Sequence, residues 1–436
     1  MLIGRFGRML VNNELISIAH KIELVPNNKA KTHFKKAFGC SRLAYNWGLA
    51  KWQEYYKQGI KKSHFDLIKE FNIVKKEQFP FVYKVSKYAT QKSFFNLKFA
   101  FDKFFRDLKQ GKVSYPKFKK KRNNFGSYYI GGDQVIIKDS KYLKVPNLGL
   151  VKMREKLRFN GKINSYTISQ KGDKFFVSFS MQITKEEYIR THPKAKNNNL
   201  ALGIDLGLKS FLSLSNGLEV KAPKPLAKYN RLLIKRSRQL SKKQYAKTKQ
   251  EALQGIKKSN NYQKASIKLN KLHQKIANIR RDFLHKLTSS LVANVQYFSL
   301  EDLNVKGMLK NHKLARSISD VSFYEFKRQL EYKARYNDKE IYQVDRFYPS
   351  SKTCSNCGSL KADLTLKDRI YSCDKCGIHI DRDYNASLNL LSQLKQHIGL
   401  VQSEFTPEDL KALQYDLLLN GIVTSKVDTG IQQKSY

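Results

Sequence analysis

LALGIDLGLKSFLSLSNG, residues 200–217, reads as an apolar strand broken by one acid, Asp205, then Gly207, then a second alternating strand closed by Asn216-Gly217. An unpaired carboxylate in the middle of a buried strand is unfavourable unless a cation compensates it, and a metal ion supplies that compensation. Working outward, VQYFSLE (295–301) ends another apolar strand on an acid, Glu301, with Asp302 turned to the opposite face by strand alternation. A third acid, Asp383, stands in DRDYNASLNLL (381–391) at the start of a helical pattern. Taken singly, each reads first as a capping or salt-bridged acid. Three on separate elements of so basic a chain can meet only through folding, and phosphodiester hydrolysis with two divalent ions ~4 Å apart calls for such a cluster. Mg²⁺ or Mn²⁺ prefers carboxylate oxygen and retained water, so no cage of His or Cys is needed.

Between the second and third acids lie Cys354-x2-Cys357 and, 15 residues on, Cys373-x2-Cys376. This is the spacing of a four-thiolate zinc ribbon. Gly358 and Gly377 follow the two pairs and permit the tight knuckles that aim the sulfurs at one Zn²⁺. Four thiolates close the coordination shell, so the ion is structural and contributes folding energy. A thioredoxin-like dithiol would need only one pair beside a βαβ unit. Cys40 stands alone, and five cysteines in 436 residues are too few for a disulfide framework.

Upstream, SIAHKIELVP (17–26) alternates as a strand, and residues 30–110 are helical in pattern. Phe94, Leu97, Phe101, Phe104 and Leu108 form a stripe read as core, whereas Tyr45, Trp47, Trp52, Tyr55 and Tyr56, interleaved with lysines, are candidates for stacking on bases. Short β-rich runs between turns at Tyr115-Pro116, Pro146 to Gly149 and Gly172-Asp173 predict a small β-barrel or sheet domain, into which the helical block is inserted. A polar spacer, PKAKNNN (193–199), marks a domain boundary.

The chain carries 83 Lys+Arg against 36 Asp+Glu, a net charge of +47 on a composition that is 41% hydrophobic. A polyanion is the common partner that neutralises such a surplus on a folded scaffold. Two segments concentrate it. KFKKKR (Lys117, Lys119, Lys120, Lys121, Arg122) lies on a Pro-marked connection, and residues 221–296 hold 20 Lys+Arg against Glu251 and Asp282. In the latter, Leu272, Ile276, Ile279, Phe283, Leu287 and Leu291 trace an apolar stripe and leave Lys275, Arg280 and Arg281 on other faces, as in a helical hairpin tracking phosphates. No run approaches the ~20 apolar residues of a membrane span. Arg5, Arg8 and Asn12-Asn13-Glu14 interrupt any secretory signal. A cytoplasmic protein is expected.

GIDLG (203–207), LEDLNVKGM (300–308), SSKTCSNCG (350–358) with the second Cys pair, and DRDYNASLN (381–389) resemble the signature motifs of the TnpB (OrfB) proteins of bacterial insertion sequences. RRDFLHKL (280–287) and YPKFKKKR (115–122) match too, so the resemblance runs from about residue 17 to 395. That family is related to compact type V CRISPR effectors. The resemblance implies an α/β and β multidomain fold. Its parts would be a β-rich wedge domain (1–28 and 112–195, a β-barrel), a helical recognition domain (29–111) and a RuvC-like, RNase-H-fold nuclease (196–350 and 379–395) around a zinc ribbon (351–378). It implies an RNA-guided DNA endonuclease whose guide RNA comes from the transposon end and whose target is double-stranded DNA beside a short motif. Asp205, Glu301 and Asp383 would be its first, second and third catalytic acids, with Asp381 a neighbour. Ser387 stands where alanine is frequent, and Met9 is a second candidate start. A non-cleaving RNA-guided regulator of transposition is the alternative reading, although such relatives are expected to lack one or more acids. A strand-transferring transposase fits less well, for want of a His-x-His pair. The acidic tail (396–436) predicts one short amphipathic helix with Thr406 as N-cap, Pro407 at its first position and Gly421 at its end.

Overall fold

The computed structural model describes residues 15–121, 125–192, 199–243, 259–365, 368–399 and 406–423, and positions 245, 248, 250, 254 and 255. The chain forms two compact units divided between Thr191 and His192. Arg122, Met9 and, in the acidic tail, residues 400–405 and 424–436 lie outside the described residues.

In the first unit, β1 (Leu15–Val25) leads into α1 (Asn28–Lys57), whose first turn is capped by the Asn27 side chain accepting from the Ala30 N–H at 2.8 Å. A Ser63/Asp66 capping box opens α2 (His64–Gln78), and a 3₁₀ turn, Pro80–Lys84, precedes α3 (Tyr88–Leu108). The three helices close on Leu49, Phe71, Phe94, Leu97 and Phe101. A Cβ on Gly48 would lie 2.9 Å from the Phe94 ring, so glycine sets how closely α1 approaches α3. The α3 stripe leaves the core at its C-terminal end, where Leu108 is 49% exposed. Four of the five aromatic candidates for stacking on bases belong to this core instead. Tyr45 is buried, Trp47, Trp52 and Tyr55 pack against it, and Trp52 stacks on Phe101 at 3.9 Å between ring centroids. Only Tyr56 of that group is largely exposed, at 70%.

The chain then forms β2 (Phe125–Gly131), β3 (Ile136–Lys138), β4 (Tyr142–Val145), β5 (Gly149–Met153), β6 (Lys162–Lys171) and β7 (Lys174–Thr184), ending in α4 (Lys185–Thr191). The sheet order is β2-β6-β7-β1-β5-β4-β3, antiparallel throughout. β1, made before the helices, pairs with β7 from Leu15↔Thr184 to Leu24↔Phe175 and with β5 through Leu24 and Val25. The expected barrel is not closed. β2 and β3 are the two edges, joined by the chain but not by a ladder. The reason is local: after Gly131 the backbone enters a 3₁₀ turn, Gly132–Gln134, and β3 emerges with only three residues, all paired with β4.

In the second unit, β8 (Ala201–Leu206), β9 (Leu212–Leu214) and β10 (Glu219–Val220) form an antiparallel meander closed by Gly217, whose φ of 85° suits the turn. The helices α5 (Pro225–Ser241) and α6 (Asn260–Asn294) follow. Buried Asp320 accepts the Leu226 and Ala227 N–H groups at 2.9 Å each and so caps α5. Next come β11 (Tyr297–Glu301), α7 (Val305–Met308), α8 (Ala315–Val321), α9 (Phe323–Tyr336) and β12 (Glu340–Val344). The order β10-β9-β8-β11-β12 has β11 parallel to both β8 and β12. Its core gathers Leu202, Ile204, Phe211, Leu287, Phe298 and Phe326. β13 (Ile370–Ser372) and β14 (His379–Asp381) form the cysteine-bearing hairpin, followed by α10 (Arg382–Ile398) against β8 and β11, and α11 (Pro407–Leu419). The tail helix is capped by Thr406 with Asp409, as expected, and is docked, not frayed: Leu413 and Leu417 are buried, and Asp416 accepts from Asn294 at 2.6 Å. No helix among the described residues is long and apolar enough to cross a membrane.

Candidate active site

Parallel β8 and β11 end side by side, the last paired residues being Ile204 and Leu300; Asp205 and Glu301 are the next residue on each strand. Carboxyl ends of adjacent parallel strands are where open α/β sheets place their ligands. The third acid arrives on the first turn of α10, which Asp381 caps by accepting the Asp383 and Tyr384 N–H groups at 2.9 and 3.0 Å. α10 lies close against β8 because residue 203 is glycine: a Cβ there would fall 2.0 Å from the Ser387 carbonyl oxygen and 2.7 Å from the Leu391 nitrogen. A Cβ on Gly207 would lie 4.0 Å from Asp383 Oδ2, so Asp383 borders the loop two residues past Asp205. Gly203→Ala is expected to force α10 off the strand. Overpacking against backbone costs about 1–3 kcal/mol, and the melting temperature should fall by about 3–10 °C; an unchanged melt would contradict this contact.

Electrostatics tie the three acids together. Burial first, and then the Asp383 and Glu301 carboxylates, together push the Asp205 carboxyl up to about 7 against the opposing Arg382. Burial and then neighbouring Asp302 raise Glu301 as well. Asp383 faces cations: Arg382 donates to its Oδ1 at 3.2 and 3.3 Å, and Arg369 Nη1 lies 3.8 Å from its Oδ2. Among the described residues, the only group of three or more His, Cys, Asp or Glu with all donor atoms within 4.8 Å is the cysteine set. The acids are therefore near enough to repel yet more open than a closed cluster, with Asp383 drawn onto two arginines. Their chemistry fits a hard divalent cation: oxygen donors only, and one carboxyl that resists ionisation for lack of a counter-charge.

Asp302, the residue that follows β11, accepts from Arg346 through both its carboxylate and its carbonyl, the latter at 3.1 Å, and pairs with Lys327 at 3.6 Å. Sequence reasoning missed Arg369, Arg382, Arg346 and Lys327, because an arginine among 83 basic residues carries no local signal of its partner.

Cys354, Cys357, Cys373 and Cys376 come together, with Sγ–Sγ separations of 3.5 Å (Cys354–Cys376) and 3.6 Å (Cys357–Cys373). A tetrahedron with ~2.3 Å Zn–S bonds has edges near ~3.8 Å, so the set fits zinc. Gly358 and Gly377 adopt φ of 73° and 70°, which closes both knuckles. Hydrogen bonds from Ser359 and the Cys376 N–H bring Cys373 down to about 6, toward the thiolate a metal needs, while burial pushes Cys354 up to about 11. The ribbon is fastened to α10 by two buried amides. Asn385 donates to Thr353 O at 2.7 Å and accepts from Ser355 N–H at 3.0 Å, and Asn389 donates to Ser350 and Thr353 carbonyls at 2.7 and 2.6 Å.

The basic segments are exposed but unequal. In the first unit, Lys117, Lys119 and Lys120 line a cavity of about 830 Å³ with Arg42, Lys92 and Tyr129. Asn46 pins the Lys119 backbone through bonds of 2.7 and 3.0 Å, and Lys119 Nζ sits 3.8 Å over the Tyr45 ring. Lys121 is exposed. In the second unit, Lys275 lies 4.9 Å over Tyr229 and Arg281 bonds Asn278, whereas Arg280 donates to the Ser319 carbonyl at 2.6 Å and holds α6 to α8.

Three family models match the chain: "Helix-turn-helix domain" of the OrfB type over residues 15–61, "Probable transposase" over 178–312 and "Cas12f1-like, TNB domain" over 323–390. Over 15–61 the structure has a strand and one long helix in place of two helices. A Streptomyces pristinaespiralis protein named "Putative RNA-guided DNA endonuclease" is 31% identical over 385 residues, covering 86% of this chain and 88% of that protein. The InsQ protein of Escherichia coli K12, named in the same way, is 28% identical over 391 residues, covering 86% and 91%. A solved Cas12f1–sgRNA–target DNA complex aligns over 86% of this chain at 17% identity and a TM-score of 0.32, too distant a likeness to build on. With the quoted motifs in order and these full-length matches, the chain belongs to the TnpB (OrfB) family.

Proposed function

We propose that this protein is an RNA-guided DNA endonuclease that cuts its target by hydrolysis with two divalent ions, Mg²⁺ or Mn²⁺. The observation that carries the reading is the raised Asp205 carboxyl, next to Glu301 across a parallel ladder and sensing Asp383. Asp205 would bind both ions, and Glu301 and Asp383 one each. When bound, such ions lower the pKa of the attacking water and neutralise charge on the leaving oxygen. The chain's own residues set the geometry. Strand ends fix Asp205 and Glu301, α10 brings Asp383, and Arg382 and Arg369 pair with Asp383 and would keep cationic groups beside the scissile phosphate.

In the same reading, residues 1–28 and 112–195 form the wedge domain, 29–111 the recognition domain, and 196–350 with 379–395 a RuvC-like nuclease carrying the basic hairpin. The ribbon at 351–378 holds one structural Zn²⁺. The sheet order β10-β9-β8-β11-β12, an antiparallel meander extended by two parallel strands, supports an RNase-H type of nuclease. A charge of +47 suits a chain that grips an RNA scaffold and a heteroduplex by their phosphates. The guide would derive from the transposon end and the target would lie beside a short motif, in the cytoplasm at the nucleoid.

The test begins by sequencing the RNA that co-purifies with the protein. A duplex matching its guide portion, flanked by a randomised motif, should be cut in Mg²⁺ and left intact in EDTA. Glu301→Gln should retain the RNA and lose cleavage by about 10³-fold or more. Full cleavage by Glu301→Gln would remove Glu301 from the site.

A further inference from the structure

Beside Glu301 a cavity of about 340 Å³ opens, within the volume range of small-ligand sites. Leu206, Leu300 and Phe323 contribute apolar surface to it, and Tyr324, 69% exposed, is an unburied ring at its wall. Its cationic groups are unevenly committed. Arg328 is held by Glu325 through two bonds of 2.8 Å, while Lys327 and Arg346 share the single carboxylate of Asp302. Lys306 is a further cation of the lining and Glu301 and Glu331 are its other acids, and the two cations that share Asp302 stand one residue from Glu301. An apolar wall, an exposed aromatic ring and two cations sharing one carboxylate next to the candidate active site describe the complement of a nucleotide.

We propose that this cavity is a subsite for the nucleotide next to the cleaved bond, with Lys327 and Arg346 holding its phosphate and Tyr324 stacking on its base. The assignment rests on the nuclease reading of Asp205, Glu301 and Asp383. Asp302 is then a positioning residue. It keeps both cations at the end of β11 when no strand is present and yields part of their hydrogen-bonding capacity to the incoming phosphate. Because the groups are long cationic side chains contacting a backbone, the subsite selects for a phosphodiester strand and not for sequence.

The experiment uses the protein with its co-purified RNA, a matching duplex and single-turnover conditions. Arg346→Ala and Lys327→Ala should each slow cleavage by about 10- to 100-fold through lost positioning, with target affinity within about twofold of the parent. Arg346→Lys should recover part of the rate. Methylphosphonate, a neutral replacement, is then placed at each phosphate around the cut. One position should slow the parent and add no further slowing in the Lys327→Ala/Arg346→Ala protein. Undiminished rates, or a methylphosphonate penalty that is the same in both proteins, would overturn the subsite. Lys327→Gln, which leaves the Arg346–Asp302 pair in place, gives the same decision should the alanine variants melt early. Asp205→Asn run alongside separates the two proposals. Cleavage by Asp205→Asn overturns the nuclease reading itself, whereas an inactive Asp205→Asn beside a fully active Arg346→Ala overturns the subsite alone.

Discussion

Asp205→Asn is expected to abolish guided cleavage, by about four orders of magnitude or more, and at the same time to make the metal-free protein harder to unfold. The second half follows from the raised carboxyl, which moves from an ordinary 3.8 to about 7 in the native state. Between those pH values the folded chain holds a proton that the unfolded chain has released. Native stability therefore falls as pH rises through that window, and the loss is complete above 7. Asparagine never ionises and escapes the loss. At pH 8 in EDTA the variant should be more stable by about 1–4 kcal/mol, the lower end reflecting solvent contact at a half-buried group. At pH 4 the two proteins should melt together. Added Mg²⁺ should raise the melting temperature of the parent and leave the variant nearly unchanged, by linkage. A variant that melts lower than its parent at pH 8, and responds equally to Mg²⁺, would show that Asp205 is an ordinary structural acid.

The other large effect is expected at the cysteines. Cys354→Ser removes one of four sulfurs from a segment whose apolar core among the described residues is little more than Leu364 and Tyr371 with Cys354 and Cys373 themselves. Metal binding in such small ribbons supplies apparent free energies of ~10–16 kcal/mol, so the ribbon should lose its fold and its zinc together. The damage should not stop there. Asn385 and Asn389 anchor α10 to Ser350, Thr353 and Ser355, and α10 begins with Asp383. Cleavage should therefore fall by at least about 100-fold in the variant, and a strong zinc chelator should do the same to the parent even with Mg²⁺ in excess. Metal analysis should give one zinc per parent chain. Full activity in a protein shown to contain no zinc would mean that the ribbon and the acids are independent.

Much of this arrangement could be read from residue order because it is encoded locally. An acid ending an apolar strand, as at Asp205 and Glu301, is conspicuous within six or seven residues. The two Cys pairs with their following glycines define a ribbon without outside help, and Thr406 with Asp409 announces a helix start. What stayed hidden depends on distant partners. Whether the first sheet closes turns on where β3 ends up relative to β2, which no periodicity reports. The tyrosines and tryptophans of α1 looked like a nucleic-acid face because they alternate with lysines. Apart from exposed Tyr56, their rings instead join the core between α1 and the two helices that follow. The clamp of Asp302 on Arg346 joins positions 44 residues apart, and a single charge among so many gives no hint of its match.

The place of β1 in the middle of its sheet bears on how the chain is made. Most of the ladder of this strand is with β7, whose residues Phe175 to Thr184 are translated far later than its own. At ~5–20 residues per second the delay is on the order of ten to thirty seconds. During that interval the helices between them can bury Phe71 and Phe94 against one another, while an alternating strand with both edges bare waits for its neighbour. Nascent chains of this protein thus carry a built-in period of vulnerability to misassembly, and a holding chaperone would shorten it.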